Sequence, residues 1–452
     1  MDQRKVLALL LALALVRGLI YAAVTPPWQS PDETGHFEYA WLIAHLGRLP
    51  TSQDISPSFE GDLLDSLYEW RYGQVIGRPL PEQMPARIDD LPEGTFIRRS
   101  RTVLHERISS AYVWMALFIW PARGRDLLVQ LYAARLASVV LGLGIVWMAW
   151  RIFQEALPRQ GWLVVAMTAF VVFLPQHTFI NASAGDGTLA ALAACVVIFG
   201  WLRLFRGPVR PTDVILVLGG TLVGLSAKGT ALFLVPFDLL ALALLALARP
   251  QSRSGLGRWG YLALGLVLAV LLAGIAWLTP FGYRVWRLAR RWWDTPEIHL
   301  AGGDITFGEA LVQTYDSFWA QFGWMSVRAQ DGWYVGVYIL TGLAVVGWIL
   351  PRPGRWPAPA YAKRVLGIAL LMAIAVLLAS LLFTSSGLSF SQGRYLFPVI
   401  APVAFFLVGG WARWVPEHGR RAFASAVLLV FAALDFVAIS AMWPHFYMGL
   451  YG

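Results

Sequence analysis

Residues 6–24 read VLALLLALALVRGLIYAAV, and residues 25–39 continue TPPWQSPDETGHFEY. The first stretch is 19 residues long with Arg17 as its one charge. A helix of about 20 apolar residues crosses a hydrocarbon core of about 30 Å. Arg4 and Lys5 in front of an apolar run could mark a cleavable signal peptide. The length of the run, Arg17 inside it and Pro26-Pro27 behind it instead make it a retained signal anchor. The second stretch places Asp32, Glu33 and His36 just beyond the end of that span.

The rest of the chain follows the same pattern. Of 452 residues, 58% are hydrophobic and 14% are charged, against about 25% charged in an ordinary soluble protein. The mean hydropathy is +0.58. A soluble fold of this length could not hide so much apolar surface. A cytosolic enzyme, a disordered chain and a secreted disulfide scaffold are therefore excluded. Cys195, the one cysteine, can form no internal bridge and reads as a small buried hydrophobe.

Eleven apolar runs are candidate spans: 6–24, 127–150, 162–178, 188–204, 214–226, 230–247, 259–279, 333–350, 365–383, 395–411 and 422–442. The run 214–226 is short and joins the next through Ala227-Lys228-Gly229, so the two can form a broken or tilted hairpin. Period-two alternation is absent, which excludes a barrel. An all-α polytopic membrane bundle satisfies every backbone polar group within each span.

With the N-terminus inside, the inner loops carry 17 Lys and Arg against four acids. The outer segments 25–126 and 281–332 carry 15 Lys and Arg and 20 acids. This is the positive-inside bias. It accounts for the net charge of +9 without nucleic acid. The C-terminus then lies outside, and the chain is one integral-membrane domain.

The first outer loop is too long to be structureless. Residues 60–72 (EGDLLDSLYEWRY) have the spacing of an amphipathic helix. Residues 108–120 (ISSAYVWMALFIW) are too short to span easily and read as a re-entrant or interfacial helix. The second outer loop contains FGYRVWRLARRWWDTPEIHL at 281–300, with the Trp and Arg content of an interface helix.

Seven ionisable residues remain within or beside the spans: Arg17, Arg135, Asp186, Lys228, Asp238, Arg394 and Asp435. Charges there are costly and point to function or to mutual pairing. Pairing or snorkelling suits Arg17 and Asp435. In PWQSPDETGHFEY, Ser30 can cap a helix whose first residue is Pro31, with Glu33 closing a capping box. Asp32 and His36 then share a face at i,i+4. A carboxylate there can act as a general base toward a hydroxyl. The two can also share a divalent cation, although the sequence requires none and names no cofactor.

Asp186 ends the turn Asn181–Asp186 and can cap the next helix. Lys228 lies in Ser226-Ala-Lys-Gly-Thr230, and Gln392, Arg394 and Tyr395 lie in Ser391-Gln-Gly-Arg-Tyr395. Both segments sit at the outer membrane boundary, and the planar fork of Arg394 suits a phosphate. Four separate outer helix ends thus carry Asp32, Asp186, Lys228 and Arg394 near one plane. Two acids and two cations there suit a phosphorylated amphipathic ligand. No HExxH motif or Walker loop is present. His105-Glu106 reads as a solvated polar pair, and YDSFWAQFGW at 315–324 as interfacial packing.

The order of these features resembles a known group. Pro31-Asp-Glu-x-x-His-Phe37 after one span, the Asn181–Asp186 turn, Ala227-Lys228, Phe322-Gly-Trp324 and Gly393-Arg-Tyr-x-x-Pro398 resemble the bacterial membrane-protein family called domain of unknown function 2142. That family is similar to the GT-C superfamily of membrane glycosyltransferases. The resemblance implies a GT-C-like bundle in the bacterial cytoplasmic membrane. It implies transfer of a sugar from a polyprenyl-phosphate donor, with inversion, to a glycan, lipid or protein acceptor at the outer face, as part of cell-envelope polysaccharide chemistry. Carried over, Asp32 is the general base and Glu33 its neighbour. Arg394 and Lys228 hold the donor phosphate, and His36, Asp186, Gln392 and Tyr395 complete the substrate site. A flippase or transporter for a lipid-linked saccharide, or a non-catalytic assembly subunit, is the alternative.

Overall fold

A computed structural model describes residues 3–448, apart from 52, 77–79, 82, 93–94, 96, 98–108, 249–305, 351–356 and 384–391. The chain is a bundle of α-helices with a single two-stranded ribbon, Gln321–Phe322 against Val327–Arg328, among the described residues. Eight described helices are long and apolar enough to cross a membrane, and a bent pair supplies a ninth candidate.

The first span is α1 (Gln3–Val24). Next come α2 (Glu33–Leu46), α3 (Pro57–Glu69) and α4 (Ser110–Ile119) of the long loop that follows it. The bundle continues with α5 (Leu127–Ala156), then α6 (Gly161–Phe173) and α7 (Pro175–Asn181), which bend by 60° at their junction. Pro175 explains the break, because it cannot donate the helical hydrogen bond. Then follow α8 (Gly187–Arg206), α9 (Pro211–Ala227) and α10 (Leu234–Ala248). After α11 (Phe307–Trp319) and the ribbon come α12 (Asp331–Ile349) and α13 (Ala360–Phe383). The last spans are α14 (Ile400–Ala412), preceded by a 3-10 stretch Gly393–Val399, and α15 (Arg420–Trp443).

Every expected span with described residues falls on helix, although 162–178 is split between α6 and α7 and 395–411 begins in the 3-10 stretch before α14. The short run 214–226 is α9, separated from α10 by Lys228 and a 3-10 turn. The run 259–279, the Trp- and Arg-rich stretch 281–300 and His105-Glu106 lie outside the described residues.

Two buried clusters organise the packing. One fills the bundle from Val6 to Phe446. The other sits under the long loop after α1, where Trp28, Phe37, Phe59, Leu63, Leu67, Tyr112 and Leu131 join α2, α3 and α4 to the N-terminal end of α5. The amphipathic helix lies three residues earlier than its apolar spacing suggests. Ser56 caps it by accepting from Phe59 N, and Pro57 opens it. This is the favoured Ser-cap, Pro-first order, and it fixes the start more firmly than apolar spacing does. Glu60, expected on the polar side, is fully buried.

The described ionisable groups inside the bundle are paired or hydrogen-bonded. Arg17 of α1 donates Nε to Asp435 Oδ2 of α15 at 2.7 Å, and Tyr21 Oη donates to Asp435 Oδ1 at 2.8 Å. Asp238 accepts from Trp201 Nε1 and Thr221 Oγ1, both at 2.6 Å. Breaking such a buried pair costs about 3–5 kcal/mol, because the surviving charge is left unpaired in a poor solvent for it. Helices α12 and α14 cross at Gly347 and Gly410, where an added Cβ on either would overlap the other backbone. Close approach through glycine is a common device for packing helices in lipid.

Candidate functional site

The site forms at the end of the bundle that carries the long loop after α1. Asp32 is the N-cap of α2, yet it stands at φ 62°, ψ 11° and makes no side-chain capping bond. The left-handed conformation costs a non-glycine residue about 1–2 kcal/mol, and Asp and Asn bear it best. The expected capping box is absent: α2 begins at Glu33, two residues after Pro31. The reason lies in Glu33. Its carboxylate is pulled into a fully buried pair with Arg135 of α5, at 2.9 Å from Nε and 2.7 Å from Nη2. It also accepts from Trp28 N and Ala184 N, both at 3.1 Å. Arg135 spends its remaining donors on the carbonyls of Ala22, Thr25 and Pro26. Glu33 is thereby turned away from Asp32 and ties the end of α1 to α5 and to the turn before α8.

With its backbone twisted, Asp32 presents its carboxylate to Arg394, which donates Nη2 to Oδ2 at 3.0 Å. Arg394 comes from the 3-10 stretch before α14. Gly393 places it there: its N–H bonds Ser317 Oγ at 2.8 Å, and its α-carbon lies so close to the Phe318 backbone that no side chain would fit. Asp186 is the N-cap of α8, but its carboxylate pairs with Lys228 at the end of α9. His36, one turn into α2, bonds Tyr112 Oη through Nδ1 at 2.8 Å, and its Nε2 lies 3.8 Å from Asp186.

The cleft beside these groups encloses about 480 Å³, counting space open to solvent. Its lining includes His36, Asp186, Lys228, Arg394 and Tyr395, together with Asn181 and Thr188. The Tyr395 ring lies 5.8 Å from the Arg394 guanidinium carbon. Gln392 caps the 3-10 stretch, and its carbonyl accepts from Tyr395 N. Asp32, His36, Asp186, Lys228, Arg394 and Tyr395 are thus brought together from four segments of the chain. Glu33 is not among them.

The electrostatics follow from this arrangement. Burial pushes the Asp32 carboxyl up, but the charges of Arg394, His36 and Lys228 outweigh it, so its pKa lies below the usual carboxylate value. Asp32 is ionised at neutral pH. Burial pushes the His36 imidazole down more than Asp186 pushes it up, which leaves a neutral ring at pH 7. The nearest cation to Asp32 is Arg394, and Asp186 pairs with Lys228. Among the described residues no group of three His, Cys, Asp or Glu is placed to hold a metal ion.

The family description "Predicted membrane protein (DUF2142)" matches residues 15–403. The chain belongs to this family. No curated protein matches it. Among solved structures the DUF2142 chain is similar to ArnT from Cupriavidus metallidurans bound to undecaprenyl phosphate. The identity is 15%, the TM-score 0.46, and the match covers 98% of this chain and 75% of that one.

Sequence reasoning passed over three contributors to this DUF2142 site. Arg135 was visible as a charge in a span, and the physics of lipid demands a partner for it. Tyr112 carries no sequence signal, since it sits in an apolar helix like any aromatic. Thr188 is ordinary in the first turn of a helix, and only the structure brings it to the cleft. The segment 315–324 packs as expected: Trp319 is buried against Phe170 and Phe431, and Asp316 pairs with Arg328 at 2.9 Å and Tyr338 at 2.8 Å.

Proposed function

We propose that this multi-pass membrane protein is a GT-C-type glycosyltransferase. It would transfer a sugar from a polyprenyl-phosphate donor to an acceptor hydroxyl at the outer face of the cytoplasmic membrane. One observation carries this reading: a carboxylate, Asp32, bonds Arg394 at 3.0 Å beside a cleft that Arg394 and Lys228 line. The acidic pair Asp32-Glu33 after the first span, which resembles the acidic pair in the first outer loop of GT-C enzymes, points the same way. The orientation with an inside N-terminus and outside C-terminus rests on the bias of the loop charges.

In the proposed reaction the acceptor oxygen attacks the anomeric carbon from the face opposite the phosphate. The new bond joins acceptor oxygen to sugar. The bond from sugar to phosphate oxygen breaks, and its electron pair leaves with the polyprenyl phosphate. Arg394 and Lys228 stabilise that developing charge, an effect worth several kcal/mol in a water-poor site. Asp32 takes the acceptor proton. Such a positioned base contributes about 10²–10⁴ in rate. His36, held neutral and oriented by Tyr112, supports Asp186 and the shape of the cleft, as do Gln392 and Tyr395. Glu33 acts on this site through position alone, by fixing the backbone beside Asp32.

Vesicles containing the purified protein and a radiolabelled polyprenyl-phosphosugar test the proposal. A new glycosidic product supports transfer. Movement of the label across the bilayer without a product identifies a carrier and overturns the enzymatic reading.

A further inference from the structure

The cluster is electrically balanced, and that creates a problem for any anionic ligand. Asp32 occupies Arg394 and Asp186 occupies Lys228. His36 and Tyr112 add no charge at neutral pH, and Tyr395 lies beside Arg394. Among the described residues, a phosphate entering this cleft meets two cations that are each already bonded to a carboxylate. For the phosphate to bind, a cation must change partner.

Two donors are in place for that exchange. Arg394 Nε is buried and has no hydrogen-bond partner, although the same guanidinium bonds Asp32 through Nη2. Thr188 is 1% exposed and lines the cleft, and its hydroxyl also has no partner. A buried polar group without a partner is costly and uncommon. Two in one cleft mark a place where a ligand completes the bonding. Thr188 lies in the first turn of the 20-residue helix α8, whose N-cap side chain makes no capping bond. The first-turn backbone N–H groups and the positive end of the dipole lie at the same end of α8. These are the elements of an oxyanion seat.

We propose that the donor phosphate seats at the N-terminus of α8 against Thr188 and Arg394, competes with Asp32 for Arg394, and so frees the Asp32 carboxylate toward the acceptor. This rests on the glycosyl-transfer reading of the same cleft and adds an order of events. While the cleft is empty, Asp32 is masked by Arg394 and is a poor base. Once the phosphate takes over part of Arg394, the hold on Asp32 weakens and its basicity rises. The base is then strongest when a donor is present to react. The coupling is reciprocal, since whatever the phosphate does to the Asp32 pair, the Asp32 charge does to phosphate affinity.

This makes a counterintuitive expectation for the full-length protein in detergent, with undecaprenyl phosphate as the probe. Asp32→Asn and Asp32→Gly both suit the left-handed backbone at this position, so at least one keeps the fold. Each should bind undecaprenyl phosphate about five- to tenfold more tightly than the wild type, at the lower end of usual coupling factors. Thr188→Val should bind it about three- to tenfold more weakly, by loss of one hydrogen bond. Binding by the Asp32 variants no tighter than wild type overturns the competition and leaves the transfer reading standing. Unchanged affinity in Thr188→Val overturns the seat at α8. A wild type that binds no undecaprenyl phosphate overturns both the seat and the transfer reading. Tightening seen for inorganic phosphate but not for the lipid overturns the lipid as the ligand.

Discussion

Replacing Glu33 by Gln changes one atom in a carboxylate that accepts from Arg135, Trp28 N and Ala184 N. The substitution removes the negative charge from a pair in which both side chains are fully buried. Arg135 keeps its bonds to the carbonyls of Ala22, Thr25 and Pro26. It loses its counter-ion, and the Gln amide meets the Arg135 forks donor to donor at one of the two contacts. Leaving one member of a buried pair unpaired costs about 3–5 kcal/mol. For a cooperative unit of 150–250 residues each kcal/mol lowers the melting temperature by about 2–4 °C, and the change is smaller in a longer chain. A drop of roughly 5–10 °C is therefore expected. Melting of the detergent-solubilised protein, followed by size-exclusion chromatography after heating, measures it. Glu33→Gln combined with Arg135→Met should recover most of the loss, because two neutral side chains of similar volume replace the pair. The reasoning fails if Glu33→Gln melts with the wild type, or if the double variant melts no higher than the single one.

Three further outcomes follow from other parts of the structure. His36 is held neutral, so the unfolded chain binds its proton at higher pH than the folded one; stability must fall as pH drops below the ordinary imidazole value of 6.5. Melting temperatures at pH 7.5 and 5.5 should differ less in His36→Gln than in the wild type, while the depressed Asp32 carboxyl adds its own loss only at pH values below the usual 3.8. Gly393→Ala should cost about 1–3 kcal/mol by overpacking against Phe318 and should weaken undecaprenyl phosphate binding by shifting Arg394; unaltered binding would show that Arg394 is placed by something else. Arg17→Met should destabilise the docking of α15 on α1 by about 3–5 kcal/mol, and adding Asp435→Leu should restore much of it, as a double-mutant melting cycle would reveal.

The spans and the level of the charged groups were legible in the sequence because lipid imposes a length and forbids stray charge. Arg17 and Asp435 illustrate this: each had to find a partner, and they found one another across the first and last described spans. Asp32, Asp186, Lys228 and Arg394 could be set in one plane by counting spans, but counting gives no distance within that plane. Glu33 is where local reasoning misled. An acid in a first turn reads the same whether it caps, catalyses or reaches for a partner on another helix, and Arg135 lies 102 residues away. The twisted backbone at Asp32 follows from that distant pull. Nothing in SPDETGH announces it, since a Ser-Pro pair followed by Glu favours the regular helix start seen instead at Ser56-Pro57.

The rate of sugar transfer by Asp32→Asn tests the central claim most directly. Purified wild type and variant would be given a labelled polyprenyl-phosphosugar and an acceptor, with melting temperatures measured on the same samples. The account predicts product from the wild type, a loss of about 10²–10⁴ in rate for the variant, and a melting temperature within about 2 °C of wild type, since Asn is tolerated in the left-handed conformation. Undiminished transfer by a well-folded Asp32→Asn protein would contradict it.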